Sequence, residues 1–320
     1  MDTNIQPKDW FTEATKRRYN FWEQLAILIG LIIGGFIVTA IIQVAIGITM
    51  VDLKNLSNLN KDYLMQVIAK PENFVKVLLM QLLSTLVLMA VPAVLFVKII
   101  KQQPIKYFGL NNRISTLQIV LVVVIALCGL GLSGGLGELN KLIPLSKGLK
   151  ATFESWEKDY EQQVMIFANM KTVTDYILSI FMVAILPAIF EELLFRGVLQ
   201  KILIDWFKKP HIAIIVTAII FSAVHGSFFG LLPRMMLGMV LGYIYFYGKN
   251  LWLNILMHFI NNGVAITAMY FATRAGKNAQ ETINETFPLW VGAVALVVMI
   301  ALLSIYKKIC EKPNNELVNN

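Results

Sequence analysis

Eight stretches of the chain are apolar over roughly the 20 residues a helix needs to cross about 30 Å of hydrocarbon. They run from 22 to 50, 74 to 100, 114 to 136, 173 to 197, 210 to 226, 228 to 247, 250 to 272 and 288 to 309. Inside lipid every backbone N–H and C=O must be paired within the protein, so such segments become helices. The expected fold is therefore an all-α polytopic membrane protein of about eight transmembrane helices, with a single membrane domain over 1–320. Of the 320 residues, 57% are hydrophobic and 15% charged, a balance that excludes a soluble globular domain. The polar opening MDTNIQPKDW and the long apolar segment behind it do not fit a cleaved signal peptide, so no removable leader is expected.

Charge sets the expected orientation. Lys16, Arg17 and Arg18 precede the first segment, Lys98, Lys101, Lys106 and Arg113 lie between the second and third without an acid, and Lys307, Lys308 and Lys312 follow the last. Eight crossings put all three clusters on one side, and uncompensated Lys and Arg mark the cytoplasmic side. A cytoplasmic N-terminal segment (1–21) and a cytoplasmic tail (310–320) are expected, in a multi-pass protein of the cell membrane. The net charge of +8 is scattered between apolar segments, forming no basic arm. It reads as topology and anionic-lipid contact, with no nucleic-acid partner. The two cysteines, Cys128 in an apolar segment and Cys310 in the tail, make neither a disulfide framework nor a thiolate metal site. The inserts 51–73 and 137–172 are read as polar connections; in the second, 154-ESWEKDYE-161 interleaves lysine with acids.

A charged side chain near the bilayer centre costs roughly 2.5 to 3.5 kcal/mol on insertion scales, so intramembrane ionisable groups usually face a cavity and serve a function. Here they are Glu191, Glu192 and Arg196 in the fourth segment, His225 ending the fifth, Arg234 in the sixth, and His258 with Asn254, Asn261 and Asn262 in the seventh. His211, beside Pro210 at a segment start, reads as interfacial. Helix geometry separates the two glutamates. Glu192 and Arg196 are an i, i+4 pair on one face, whereas Glu191 points about a quarter turn away and has no local partner. An ion pair accounts for Glu192 and Arg196; an unpaired buried carboxylate is what a general base requires. Asn254, His258 and Asn262 recur every four residues as one polar stripe, which alone would do no more than hydrogen-bond neighbouring helices. Phe221 lies one turn before His225, where its ring can hold the imidazole.

Together, a carboxylate base, two imidazoles and a carboxamide are the parts for activating water and stabilising an oxyanion on a carbonyl. Two His and one Glu are also the ligand set of a hydrolytic zinc site with an open position. No HExxH is present, so the usual helical zinc signature is missing. The chemistry reads as a membrane-embedded hydrolase, with the metal open.

The motifs Glu191-Glu192-x-x-x-Arg196, Phe221-x-x-x-His225 and His258-x-x-x-Asn262, in that order over 191 to 262, resemble the CPBP family. These are the CAAX-protease and bacteriocin-processing intramembrane endopeptidases, also called the Abi family and related to the CAAX prenyl endopeptidase Rce. The N-terminal half matches in hydropathy only. The resemblance implies helices around a central polar cavity, catalytic helices over 173–272, and hydrolysis of a peptide bond in a membrane-associated protein or peptide, of CAAX type or in a leader peptide. It implies Glu191 as the base that activates water, His225 sharing that water or binding a metal, His258 and Asn262 stabilising the oxyanion, and Glu192 and Arg196 in support. As metalloproteases, such proteins would use zinc or another divalent ion on Glu191, His225 and His258; the other route is metal-free, glutamate-activated water.

Eight simple crossings would put Glu191 and His225 toward opposite faces. They meet if the fourth helix runs on past Arg196 toward Trp206, with a kink at Pro187, and if the fifth is short, Pro210 to His225 covering roughly 24 Å. Arg234, just after His225, could line the same cavity and bind a substrate carboxylate or carbonyl, or could instead be a structural pair. Two other readings of the polar set are a transporter relaying protons or a cation, and a non-catalytic membrane scaffold or immunity protein.

Overall fold

The structure, a computed structural model, describes residues 19–52, 60–110, 112–168, 170, 172–277 and 286–311. The expected cytoplasmic segment 1–21, up to residue 18, and the tail beyond 311 lie outside the described residues. The helices are α1 (Phe21–Ile48), α2 (Lys61–Ile68), α3 (Pro71–Ile99), α4 (Pro104–Tyr107), α5 (Thr116–Lys141), α6 (Lys147–Ala168), α7 (Val173–Phe207), α8 (Pro210–Ala223), α9 (Leu231–Gly248), α10 (Leu251–Arg274) and α11 (Leu289–Glu311). No strand occurs among the described residues.

Each apolar segment became a helix, but not eight equal crossings. Six helices, α1, α3, α5, α7, α10 and α11, are long and apolar enough to span a membrane. At 14 residues α8 reaches only about 21 Å, and α9 carries Arg234 in its first turn. These two form a short hairpin turning at 224–230. The fourth helix extends through Phe207, ten residues beyond the segment's expected end.

Local sequence explains where several of these helices start. Asn20 and Glu23, Ser115 and Gln118, and Thr172 and Asp175 are reciprocal capping boxes opening α1, α5 and α7, each satisfying two backbone donors that a helix start leaves free. Past the end of α8, Gly226 takes a left-handed conformation, φ 67°, which glycine adopts without a Cβ clash.

Two apolar clusters hold the bundle. In one, α1, α3, the α4 loop and α7 meet around Phe96, Phe108, Phe195 and Phe221. In the other, α5, α9, α10 and α11 meet around Ile125, Leu241, Met257 and Tyr306. Small residues allow the closest approaches, as in membrane packing generally. A Cβ at Gly135 of α5 would lie 2.5 Å from Gly292 Cα of α11, and one at Gly242 of α9 would lie 2.6 Å from Ile214 Cγ2 of α8. Polar bonds then fix α7 against α9. Arg196 donates to the Gly238 carbonyl (3.0 Å), and Gln200 one turn later donates to that of Gly242 (3.0 Å).

The insert 137–172 is not a plain polar connection. Its first residues extend α5 to Lys141, and α6 is amphipathic, with Phe153, Glu157, Tyr160 and Val164 recurring along one face. That face meets the α8–α9 turn and the outer part of α7 and α10: Phe153 stacks on Phe228, and Val164 and Met165 pack with Ile266, Met269 and Tyr270.

Candidate active site

α7 departs from α-geometry twice, in π-helical segments at Ile180–Ile185 and Phe195–Leu199, and Glu191 and Glu192 lie on the α-helical turns between them. Segments of this kind collect at functional sites. The departure expected at Pro187 is the π segment just ahead of it. Proline has no N–H to give the Val183 carbonyl one turn back, and Asn262 Nδ2 of α10 lies 3.4 Å from that oxygen. Asn261, beside the polar stripe, donates to the Asn262 carboxamide oxygen (3.3 Å).

Glu192 and Arg196 are the expected pair. Arg196 Nη1 donates to Glu192 Oε1 at 2.7 Å, both side chains are fully buried, and the guanidinium carbon sits 4.6 Å above the Phe221 ring. Glu192 holds more than Arg196. Its Oε1 is 2.9 Å from His258 Nδ1, and Asn254 Nδ2 lies 3.4 Å from Oε2 while donating to the Leu241 carbonyl at 2.6 Å. A carboxylate on Nδ1 makes that nitrogen the donor and turns Nε2 into the cavity.

Glu191 is different. Its Oε2 is buried and has no hydrogen-bond partner among the described residues, yet it faces two imidazoles: His225 Nε2 at 4.0 Å and His258 Nε2 at 3.9 Å. His225 is oriented by its Nδ1, 2.7 Å from the Phe221 carbonyl, and by the edge of the Phe221 ring, centroids 5.0 Å apart. The same ring meets His258 edge-on at 5.9 Å. Three helices thus bring Glu191, His225 and His258 to one point. Asn262 is on the same stripe, but its amide is directed at Val183.

Arg234 stands beside this point, its Nη1 3.4 Å from the Ser227 carbonyl and its guanidinium 4.6 Å from the Tyr160 ring centroid. His211 is exposed, its Nδ1 3.0 Å from the Tyr243 hydroxyl. Sequence reasoning missed the residues that clasp the turn carrying His225. Asn140 donates to the Phe228 carbonyl (2.9 Å) and accepts from Leu232 N (3.0 Å). The Ser227 hydroxyl meets the Glu157 carboxylate at 2.7 and 3.0 Å. The amphipathic spacing of α6 was the available signal for Glu157; Asn140 lay beyond the expected end of its segment.

No three His, Cys, Asp or Glu side chains among the described residues form a group able to hold a metal ion. The set Glu191, His225 and His258 does not fit that role as it stands. The Nε2 to Oε2 separations of 3.9–4.0 Å are wider than two ligands about 2.0 to 2.2 Å from one tetrahedral zinc would show.

The family model for the type II CAAX prenyl endopeptidase Rce1-like proteins matches residues 173–264. The match contains all three motifs and agrees with the resemblance they carry; the region is similar to that of a protease family. Searches of curated proteins and of solved structures returned no match.

Proposed function

We propose that the protein is an intramembrane endopeptidase that hydrolyses a peptide bond of a membrane-associated protein or peptide, with water activated by Glu191. The observation that carries this reading is the unpartnered Glu191 carboxylate facing both His225 and His258 at about 4 Å. That separation is too long for a direct hydrogen bond and suits one oxygen at about 2.8 Å from each atom. The match over 173–264 and the membrane-spanning helices support the same substrate class.

In the reaction, water lies between Glu191 Oε2 and His225 Nε2. Glu191 takes a proton as the water oxygen attacks the carbonyl carbon of the scissile bond. His258, its Nδ1 held by the Glu192 carboxylate, presents Nε2 to the developing oxyanion. Asn262 adds a second donor by turning from Val183, a rotation made easy by the 3.4 Å length of that bond. The tetrahedral intermediate collapses as Glu191 returns its proton to the leaving nitrogen. Arg234 receives a carbonyl or carboxylate of the substrate beyond the scissile bond. No step passes through a metal. Both termini face the cytoplasm of the cell membrane, because the α8–α9 hairpin returns to the side it left and so preserves parity.

The test is cleavage by purified wild type and Glu191→Ala protein across a panel of membrane-tethered peptides, each with and without chelator. Wild type should cut at least one peptide, chelator should leave the rate unchanged, and Glu191→Ala should lose about 10² to 10⁴-fold. Equal cleavage by the two proteins removes Glu191 from the mechanism.

A further inference from the structure

The reaction above leaves Glu157 unused, although it is a carboxylate directed into the site's own wall. His225 lies in the turn just past α8 and is followed by Gly226 at φ 67°, a joint that does not by itself fix the chain beyond. The next residue, Ser227, is 4% exposed and is anchored at both ends. Its hydroxyl donates to Glu157 and accepts from Gly230 N (3.2 Å), and its carbonyl accepts from Arg234. Two ring contacts of α6 flank this anchor. Phe153 lies flat on Phe228, centroids 4.3 Å apart and planes within 2°, and Tyr160 lies under Arg234. Phe153, Glu157 and Tyr160 share one face of α6, so one helix grips Ser227 and Phe228 in the turn past His225 and Arg234 in the first turn of α9. A hydroxyl bond to a carboxylate is among the stronger kinds.

We infer that Glu157 is a positioning residue for His225, acting through Ser227, and that α6 thereby couples its seat over the turn to the arrangement of the site. The inference rests on the endopeptidase reading for its catalytic consequence only. The position of His225 is measurable without it.

The experiment uses full-length protein in detergent, as wild type, Glu157→Ala, Ser227→Ala, the double variant and Glu157→Gln, with circular dichroism to verify folding. The first readout is the rate of His225 acylation by diethylpyrocarbonate, followed by peptide mass spectrometry with His211 as internal reference. The second is kcat and KM on a peptide that wild type cleaves. Glu157→Ala and Ser227→Ala should each change the His225 rate while His211 is unaffected, and lower kcat about tenfold with KM little altered. The double variant should be no worse than either single, because both remove one contact. Glu157→Gln should restore most of the loss, since its carboxamide oxygen still accepts the hydroxyl. Unchanged His225 reactivity, additive losses or an effect confined to KM would overturn the inference. If Glu157→Ala fails to fold, Ser227→Ala and Glu157→Gln carry the decision. If wild type cleaves nothing, the endopeptidase reading fails and the acylation rates still decide this one.

Discussion

Glu191 and Glu192 are neighbours in sequence and differ in every physical respect that matters for chemistry. Glu192 is saturated: Arg196, His258 and Asn254 all lie within 3.4 Å of its two oxygens. It cannot take a proton from water without giving up an ion pair sealed from solvent. Glu191 has an oxygen with no such bond and two imidazoles beyond it. On the proposed function the pair divides into a group that builds the site and a group that works in it, and stability should show the division. Arg196→Ala leaves Glu192 buried and short of its cation, which costs about 3 to 5 kcal/mol, measurable as a loss of unfolding free energy in detergent. Glu191→Gln breaks no hydrogen bond of Oε2 and should unfold as wild type does. A loss below about 1 kcal/mol for Arg196→Ala would place that pair with weak exposed ones.

At the scale of elements, helix faces were legible from sequence because a helix has a fixed period. Glu192 with Arg196, Phe221 with His225, and His258 with Asn262 are each four apart, and the apolar lengths located eight helices. What periodicity cannot supply is the partner across the gap. The contact of Glu192 with His258, and the turning of Asn262 toward Val183, depend on how α7 and α10 pack. The π segments of α7 and the reach of α6 over the turn were likewise out of sight: the charges of 154-ESWEKDYE-161 suggested solvent, whereas Phe153, Glu157 and Tyr160 form a face covered by the turn and the start of α9. Packing depends on small residues as much as on apolar ones. At Gly135 a Cβ would sit 2.5 Å from the backbone of Gly292, and backbone atoms cannot rotate aside. Gly135→Leu should force α5 from α11 and cost about 1 to 3 kcal/mol, seen as a lower melting temperature in detergent. An unchanged melting temperature would mean that the two helices do not approach so closely.

Across the whole molecule, the long α7 and the short α8 solve one problem together. A 35-residue helix places Glu191 far from both of its ends, and a 14-residue helix turns back before a full crossing, so a carboxylate and a histidine from different depths of the sequence pattern meet. α10 then brings His258 to the same point, tied to α7 through Glu192. Six helices long and apolar enough to cross a membrane frame this arrangement. On the proposed function Glu191, His225 and His258 act as one unit, and groups that act as a unit lose their effects together and not in sum. The most direct measurement is the rate of peptide cleavage by Glu191→Gln, His225→Ala and His258→Ala and by their pairwise combinations, with folded protein verified in each case. Each single variant should fall by about 10² or more, and no double variant should fall substantially further. A single variant that cleaves near the wild-type rate, or double variants whose losses multiply, would contradict it.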